Sequence, residues 1–238
     1  MSGGYDYLSA TRKRYQDRET ARAYHARYSA RGWRHIRQRF VASRERVVLG
    51  RLLGDAHGKT VLDLPCGTGK MAPVLAGRTM NVISADISGE MLDIARQEYR
   101  RLGHRAVEFW QIDAESAADS LAGREIEVAL CIRLMHRVPA SVRASILENL
   151  AQLAPTVIVS YGVYSPAQRS RKFFLRLCKK IRGRSGDALD QPSRIQVERE
   201  LEISFRIIRS QAIAPVLASE RFFLLSSRQL GGPSGLAR

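Results

Sequence analysis

"TVLDLPCGTGKMAP", residues 60–73, is the stretch on which the fold turns. Thr60 to Asp63 is apolar up to a terminal acid and reads as the end of a buried strand. Gly67 and Gly69 then supply a turn, and "KMAPVLAGR" reads as a short helix. A strand, a glycine turn and a helix in this order form the opening unit of a parallel α/β sheet, with the turn facing a ligand.

Working outward, "MNVISAD" reads as a second strand and "SGEMLDIARQEYRRLG" as a helix. Ser88 is its N-cap, Glu90 lies near its positive end, Gly103 stops it, and Met91, Leu92, Ala95, Tyr99 and Leu102 form its apolar face. The strand "AVEFWQID" follows, then a loop or short helix over 114–123 and the strand "EIEVALCIRL". Next come the helix "ASVRASILENLAQL", striped by Val142, Ile146, Leu150 and Leu153, and the strand "TVIVSYGV". Near-continuous apolar strands alternating with helices predict a doubly wound, mostly parallel α/β sheet.

The flanks complete a single domain over 1–238. Residues 1–50 read as N-terminal helices forming a layer or lid, with Ile36, Phe40, Val47, Val48, Leu52 and Leu53 near the helical period. The ligand-binding core spans 51–164, and a basic segment at 165–200 is placed on the substrate side. "LEISFRIIRSQAIAP" and "RFFLLSSRQ" pair as a C-terminal antiparallel hairpin over 201–228, bringing the sheet to seven strands. The tail, 229–238, is expected to be disordered.

The 238 residues carry 39 Lys and Arg against 23 Asp and Glu, a formal charge of +16, with a pI near 10.6. Nucleic acid, phospholipid headgroups or a phosphorylated substrate would suit that excess, and so would a solvated arginine-rich surface. Cys66, Cys131 and Cys178 are spaced neither as metal ligands nor as a disulfide framework, so a reduced cytoplasmic compartment and no metal are expected. The start has no apolar signal core, and no apolar run approaches the roughly 20 residues of a membrane span. The expectation is a soluble chain, at most peripheral at the inner face of the membrane.

Three cofactors compete for the glycine turn. A P-loop needs a glycine five positions before the Gly-Lys pair and Ser or Thr after it, where this chain has Leu64 and Met71. A dinucleotide fits Gly67, Gly69 and Ala72 with Asp86 further on, but Asp63 at the strand end would repel a pyrophosphate. The same carboxylate suits a ligand that carries an ammonium group.

On these residues the sequence resembles the class I S-adenosylmethionine-dependent methyltransferases, over about 59–163. "VLDLPCGTG" is similar to their first motif, with Pro65 in place of an early glycine. The resemblance implies a cofactor site of Asp63, Leu64, Pro65, Cys66, Gly67 and Gly69. It also implies Asp86 on the ribose hydroxyls, Ile87 on the adenine, and Asp113 with Ala114 reading the adenine edge. "CIRLMHRVP" resembles the fourth motif and the loop facing the methyl group, which brings in Ile132. Tyr24 and Tyr28 would touch the cofactor from the lid. Each acid has a plainer role open to it as a turn or N-cap residue, and the tyrosines as core packing.

His136 is the nearest candidate general base for an O–H or N–H acceptor, flanked by Arg133 and Arg137, which would orient an anionic acceptor. His136 also suits a structural role, and Cys131 reads as core. The reading favoured is methyl transfer from S-adenosylmethionine, yielding S-adenosylhomocysteine (SAH), to a small-molecule or lipid-linked, glycan-linked acceptor of anionic character. The alternatives are an RNA methyltransferase, a catalytically silent module that binds an anionic partner, and an NAD-dependent enzyme.

Overall fold

The computed structural model describes residues 36–78, 80–163, 192–214 and 219–230. Tyr24, Tyr28, Cys178, nearly all of the basic segment and the tail from 231 lie outside the described residues. The elements run α1 (Ile36–Leu53), β1 (Thr60–Asp63), α2 (Ala72–Leu75), β2 (Asn81–Asp86), α3 (Gly89–Arg101) and β3 (Val107–Gln111). A 3₁₀ turn at Ala114–Ser116 leads into α4 (Ala117–Ser120) and β4 (Val128–Cys131). A second 3₁₀ turn at Met135–Arg137 precedes α5 (Ala140–Leu153), β5 (Thr156–Gly162), α6 (Arg194–Glu202), β6 (Phe205–Ala212) and β7 (Glu220–Ser227).

The strands form one seven-stranded sheet in the order β3-β2-β1-β4-β5-β7-β6. β1 to β5 pair in parallel, while β7 runs antiparallel between β5 and β6. This is the doubly wound sheet with a C-terminal hairpin that the periodicity predicts. Successive strand residues enter opposite cores: Leu62, Val157 and Val159 pack beneath α5 and α6, whereas Val61, Val128, Leu130 and Ile158 pack against α1. Burial on both faces is why the parallel strands read as continuous apolar runs.

α3 follows the sequence closely. Ser88 Oγ accepts from the Met91 N–H at 3.2 Å, Met91, Leu92, Ala95 and Tyr99 are buried, and Gly103 ends the helix at φ 72°. α1 departs from its expected face. Val48, Leu49, Leu52 and Leu53 are buried, but Phe40 and Val47 are 47% and 41% exposed, and Glu45 is completely buried in their stead. The arginine-rich helix has only a weak apolar periodicity, so tertiary contacts choose the inner face. At its C-terminal end the Arg78 guanidinium donates to the Gly50 carbonyl at 2.7 Å and to the Gly54 carbonyl, satisfying groups left without helical partners.

Two further expectations are corrected. The strand expected over "EIEVALCIRL" contracts to Val128–Cys131, and the helix at "KMAPVLAGR" to Ala72–Leu75. α6 was not anticipated and crosses the boundary drawn between basic segment and hairpin. Its signal was present: Ser193 and Gln196 form a capping box, each side chain bonding the other's backbone N–H. Val197 and Leu201 are buried against the sheet, and Glu200 accepts two hydrogen bonds from Arg143 at 2.8 and 3.1 Å and one from the Tyr161 hydroxyl at 2.8 Å. No described helix is long and apolar enough to cross a membrane.

Candidate functional site

In the sheet order, β2 and β3 follow β1 on one side and β4 on the other, so the order of strand addition reverses beside β1 and a crevice opens at the carboxyl ends of the strands. The loops after β1, β2, β3 and β4 deliver Asp63, Leu64, Pro65, Cys66, Gly67, Asp86, Ile87, Asp113, Ala114, Ile132, Arg133 and Arg137 to its walls. Gly69 and His136 are not among the lining residues.

The turn is built from backbone contacts. The Leu64 N–H donates to the Leu130 carbonyl at 3.0 Å and the Cys66 N–H to the Ala85 carbonyl at 2.8 Å, pinning the turn between β4 and β2. Gly67 and Gly69 sit at φ 55° and 73°, where a side chain is strained. They differ in purpose. A Cβ on Gly67 would meet nothing within 4 Å, leaving the backbone open to the crevice, whereas one on Gly69 would lie 3.2 Å from the Ala95 Cα. Gly69 therefore lets the turn pack onto α3.

Asp63, the last residue of β1, is 1% exposed, and neither carboxylate oxygen has a hydrogen-bond partner among the described residues. Burial, reinforced by the charge of Asp86, pushes its pKa from an ordinary 3.8 to about 8. An orphaned buried carboxylate that opens on a crevice fits a cationic group. Asp86, at the end of β2, accepts from the Gly67 N–H and the Ser88 N–H, both at 2.9 Å. Burial raises it to about 6, and the amides of Ser88, Gly67 and Ile87 restrain the rise. These bonds hold the carboxylate in place and leave it further acceptor capacity. Asp113 caps the 3₁₀ turn, accepting from the Glu115 N–H at 3.1 Å, while its residue lines the crevice, so the capping role and a crevice position coexist.

Beyond β4 the sequence reading needs adjustment. His136 lies in the 3₁₀ turn and its Nε2 accepts from Arg137 Nε at 3.4 Å. Burial, then the charges of Arg137 and Arg133, lower its pKa to about 3. The ring is neutral and a weak base, because it is buried and two guanidinium groups flank it. Arg133 takes φ 66°, a conformation uncommon outside glycine, and its backbone N–H donates to Ser160 Oγ at 2.7 Å. Its guanidinium donates to Glu45 at 2.7 Å, a residue that no sequence motif indicated. Lys70, Thr68, Met91 and Leu134 also line the crevice without having been singled out as site residues, since side chains of these types carry no signal apart from the fold.

The family model for a methyltransferase domain matches residues 61–155, the stretch from β1 to the loop before β5. Residues 61–155 thus match a methyltransferase domain, and the sheet that holds them has the Rossmann-like methyltransferase fold. The chain is 33% identical over 120 residues to a ubiquinone biosynthesis O-methyltransferase of Methylococcus capsulatus, covering 50% of this chain and 47% of that relative. A ubiquinone biosynthesis O-methyltransferase of Pseudomonas aeruginosa is 35% identical over 82 residues, 34% of either chain. The chain thus spans half or less of the length of these curated relatives. Among solved structures, magnesium protoporphyrin IX methyltransferase of Synechocystis PCC 6803 with bound SAH superposes with a TM-score of 0.73 at 19% identity, over 93% of this chain and 100% of that one. The family's methyl donor is S-adenosylmethionine, and the same Synechocystis protein is also known with that molecule bound, at a TM-score of 0.69, 18% identity and 95% of this chain against 100% of that one.

Proposed function

We propose that this chain transfers a methyl group from S-adenosylmethionine to an oxygen of a small-molecule acceptor. The observation that carries the reading is Asp63: a buried carboxylate beside the glycine turn, without a hydrogen-bond partner among the described residues and suited to the ammonium of the cofactor's amino-acid half. When bound, S-adenosylmethionine supplies a methyl group already activated on a sulfonium. Asp86, held by two backbone amides, accepts from the ribose hydroxyls, Ile87 packs on the adenine, and Asp113 with Ala114 meets the adenine edge. Pro65, Cys66 and Ile132 shape the apolar wall that keeps water from the reacting centre.

The acceptor class draws support from the curated relatives, whose names give O-methylation in ubiquinone biosynthesis. Arg137 on the crevice wall orients an anionic group of the acceptor. Catalysis is chiefly positioning, since the buried His136, beside two guanidinium groups, is too weak a base to take the acceptor's proton.

Calorimetric titration with SAH, with NAD run beside it, tests the cofactor. Micromolar SAH binding with none for NAD is the expected result, and NAD binding alone would sink the reading. A labelled-methyl screen of extract split into lipid, RNA and small-molecule fractions then tests the acceptor. Label in RNA alone refutes the small-molecule assignment.

A further inference from the structure

A buried cluster of charge lies where α1 meets the crevice. Glu45 of α1 is completely buried, accepts from Arg133 Nη1 at 2.7 Å, and sits 3.7 Å from the Lys70 ammonium. Glu220 of β7 stands 3.8 Å from the same guanidinium. Ser160 Oγ of β5 accepts the Arg133 backbone N–H and donates to Glu220, both at 2.7 Å. The cluster thus joins α1, the glycine turn, the loop after β4, β5 and β7.

Packing does not require this arrangement. α1 already anchors itself through Val48, Leu49, Leu52 and Leu53, and an apolar side chain in place of a buried ion pair is commonly as stable or more so. What the acid does is fix two cations that line the crevice. The sheet order β3-β2-β1-β4 places Asp113, Asp86, Asp63 and Arg133 in succession across the mouth, so Arg133 and Lys70 lie at the end away from Asp113. Glu45 is held below the ordinary carboxylate range: burial opposes its ionisation, but the charges of Arg133 and Lys70, together with hydrogen bonds from Glu220 and Arg133, outweigh that. Two cations, Arg133 and Lys70, thus face the ionised Glu45, while burial and Glu45 push Glu220 up to about 7.

We propose that Glu45 is a positioning residue of the cofactor site, holding Lys70 and Arg133 at the β1–β4 end of the crevice to receive the carboxylate of the cofactor's amino-acid half. α1 is then part of the binding site and more than a cover on the sheet. The inference rests on the S-adenosylmethionine reading.

A double-mutant cycle tests it, with Glu45→Gln, Arg133→Gln and the double variant, each checked for folding by circular dichroism. Two ligands are titrated: SAH, and 5′-methylthioadenosine, which keeps the nucleoside and sulfur but lacks the amino-acid end. Glu45→Gln is expected to weaken SAH about tenfold, the scale of one charged contact, and 5′-methylthioadenosine less than about twofold. In the Arg133→Gln background the same change should cost SAH less than about threefold, because Glu45 acts through Arg133. A folded Glu45→Gln protein with unchanged SAH affinity, or equal losses for both ligands, overturns the proposal, and so does full additivity. If Glu45→Gln alone does not fold, the double variant leaves neither charge buried without its partner, and its comparison with Arg133→Gln decides the matter. Wild-type protein that binds neither ligand overturns the cofactor reading as well, whereas normal wild-type binding with an indifferent Glu45 overturns the positioning role alone.

Discussion

Substituting Asp63→Asn should separate stability from binding in opposite directions. The folded chain holds this carboxyl at about 8 against an ordinary 3.8, so between those values the native state keeps a proton that the unfolded state releases. Stability from this site is greatest at low pH and falls as pH rises toward 8. At pH 7 the group spans about three pH units at about 1.4 kcal/mol each, a native-state penalty of roughly 4 kcal/mol in the unliganded fold. Asparagine cannot ionise, but its buried amide also lacks a partner, which offsets about 1–3 kcal/mol. The net is a stabilisation of about 1–3 kcal/mol, or roughly 2–12 °C in melting temperature for a chain of this size. Binding moves the other way. Losing one charged hydrogen bond to an ammonium costs about 1.5–3 kcal/mol, a weakening of SAH affinity by roughly 10- to 150-fold. In the wild type, capture of the ammonium requires the ionised acid, so affinity should climb with pH and level off above about 8. Calorimetry in buffers of different ionisation enthalpy should also show proton release, which Asp63→Asn abolishes. A variant that melts lower and binds SAH as tightly as wild type would refute the reasoning.

Three further outcomes follow from the same geometry. Asp86→Ala removes the anchor of the Gly67 and Ser88 amides and the acceptor we propose for the ribose hydroxyls, and should weaken SAH by about 1–3 kcal/mol in a titration of folded protein. Gly69→Ala forces a side chain into φ 73° with its Cβ 3.2 Å from the Ala95 Cα, and chemical denaturation should record a loss of about 2 kcal/mol or more. His136→Gln should leave the shape of the pH–rate profile between about pH 5 and 8 unchanged, since the ring titrates near 3; loss of a limb in that range would restore the histidine as general base.

Much of the architecture was legible because its signals are local. The alternation of apolar runs with helical stripes specifies strands buried on both faces, Ser88 and Gly103 mark the ends of α3, and three acids at strand ends converge wherever parallel strands share a direction. The glycine turn was legible at Gly67 and Gly69, and Asp63 just before it as an acid ending a buried strand, because backbone conformation and charge are properties of the residues themselves. α6 was missed despite its Ser193–Gln196 capping box, since a short helix with two buried residues, Val197 and Leu201, has little periodicity to display.

Tertiary structure decided the rest. That Gly67 opens on the crevice while Gly69 packs on α3 depends on what lies beyond each missing side chain. That His136 is held neutral depends on burial and on two guanidinium groups, one of which, Arg133, is fixed from Glu45, 88 residues away. That α1 turns an acid inward and leaves Phe40 and Val47 exposed depends on cations delivered by the glycine turn and the loop after β4. By itself the sequence determined where strands end and which chemistries stand there. Charges meeting across the sheet were decided only by the fold, because their energies depend on distance and desolvation, which one-dimensional spacing does not contain.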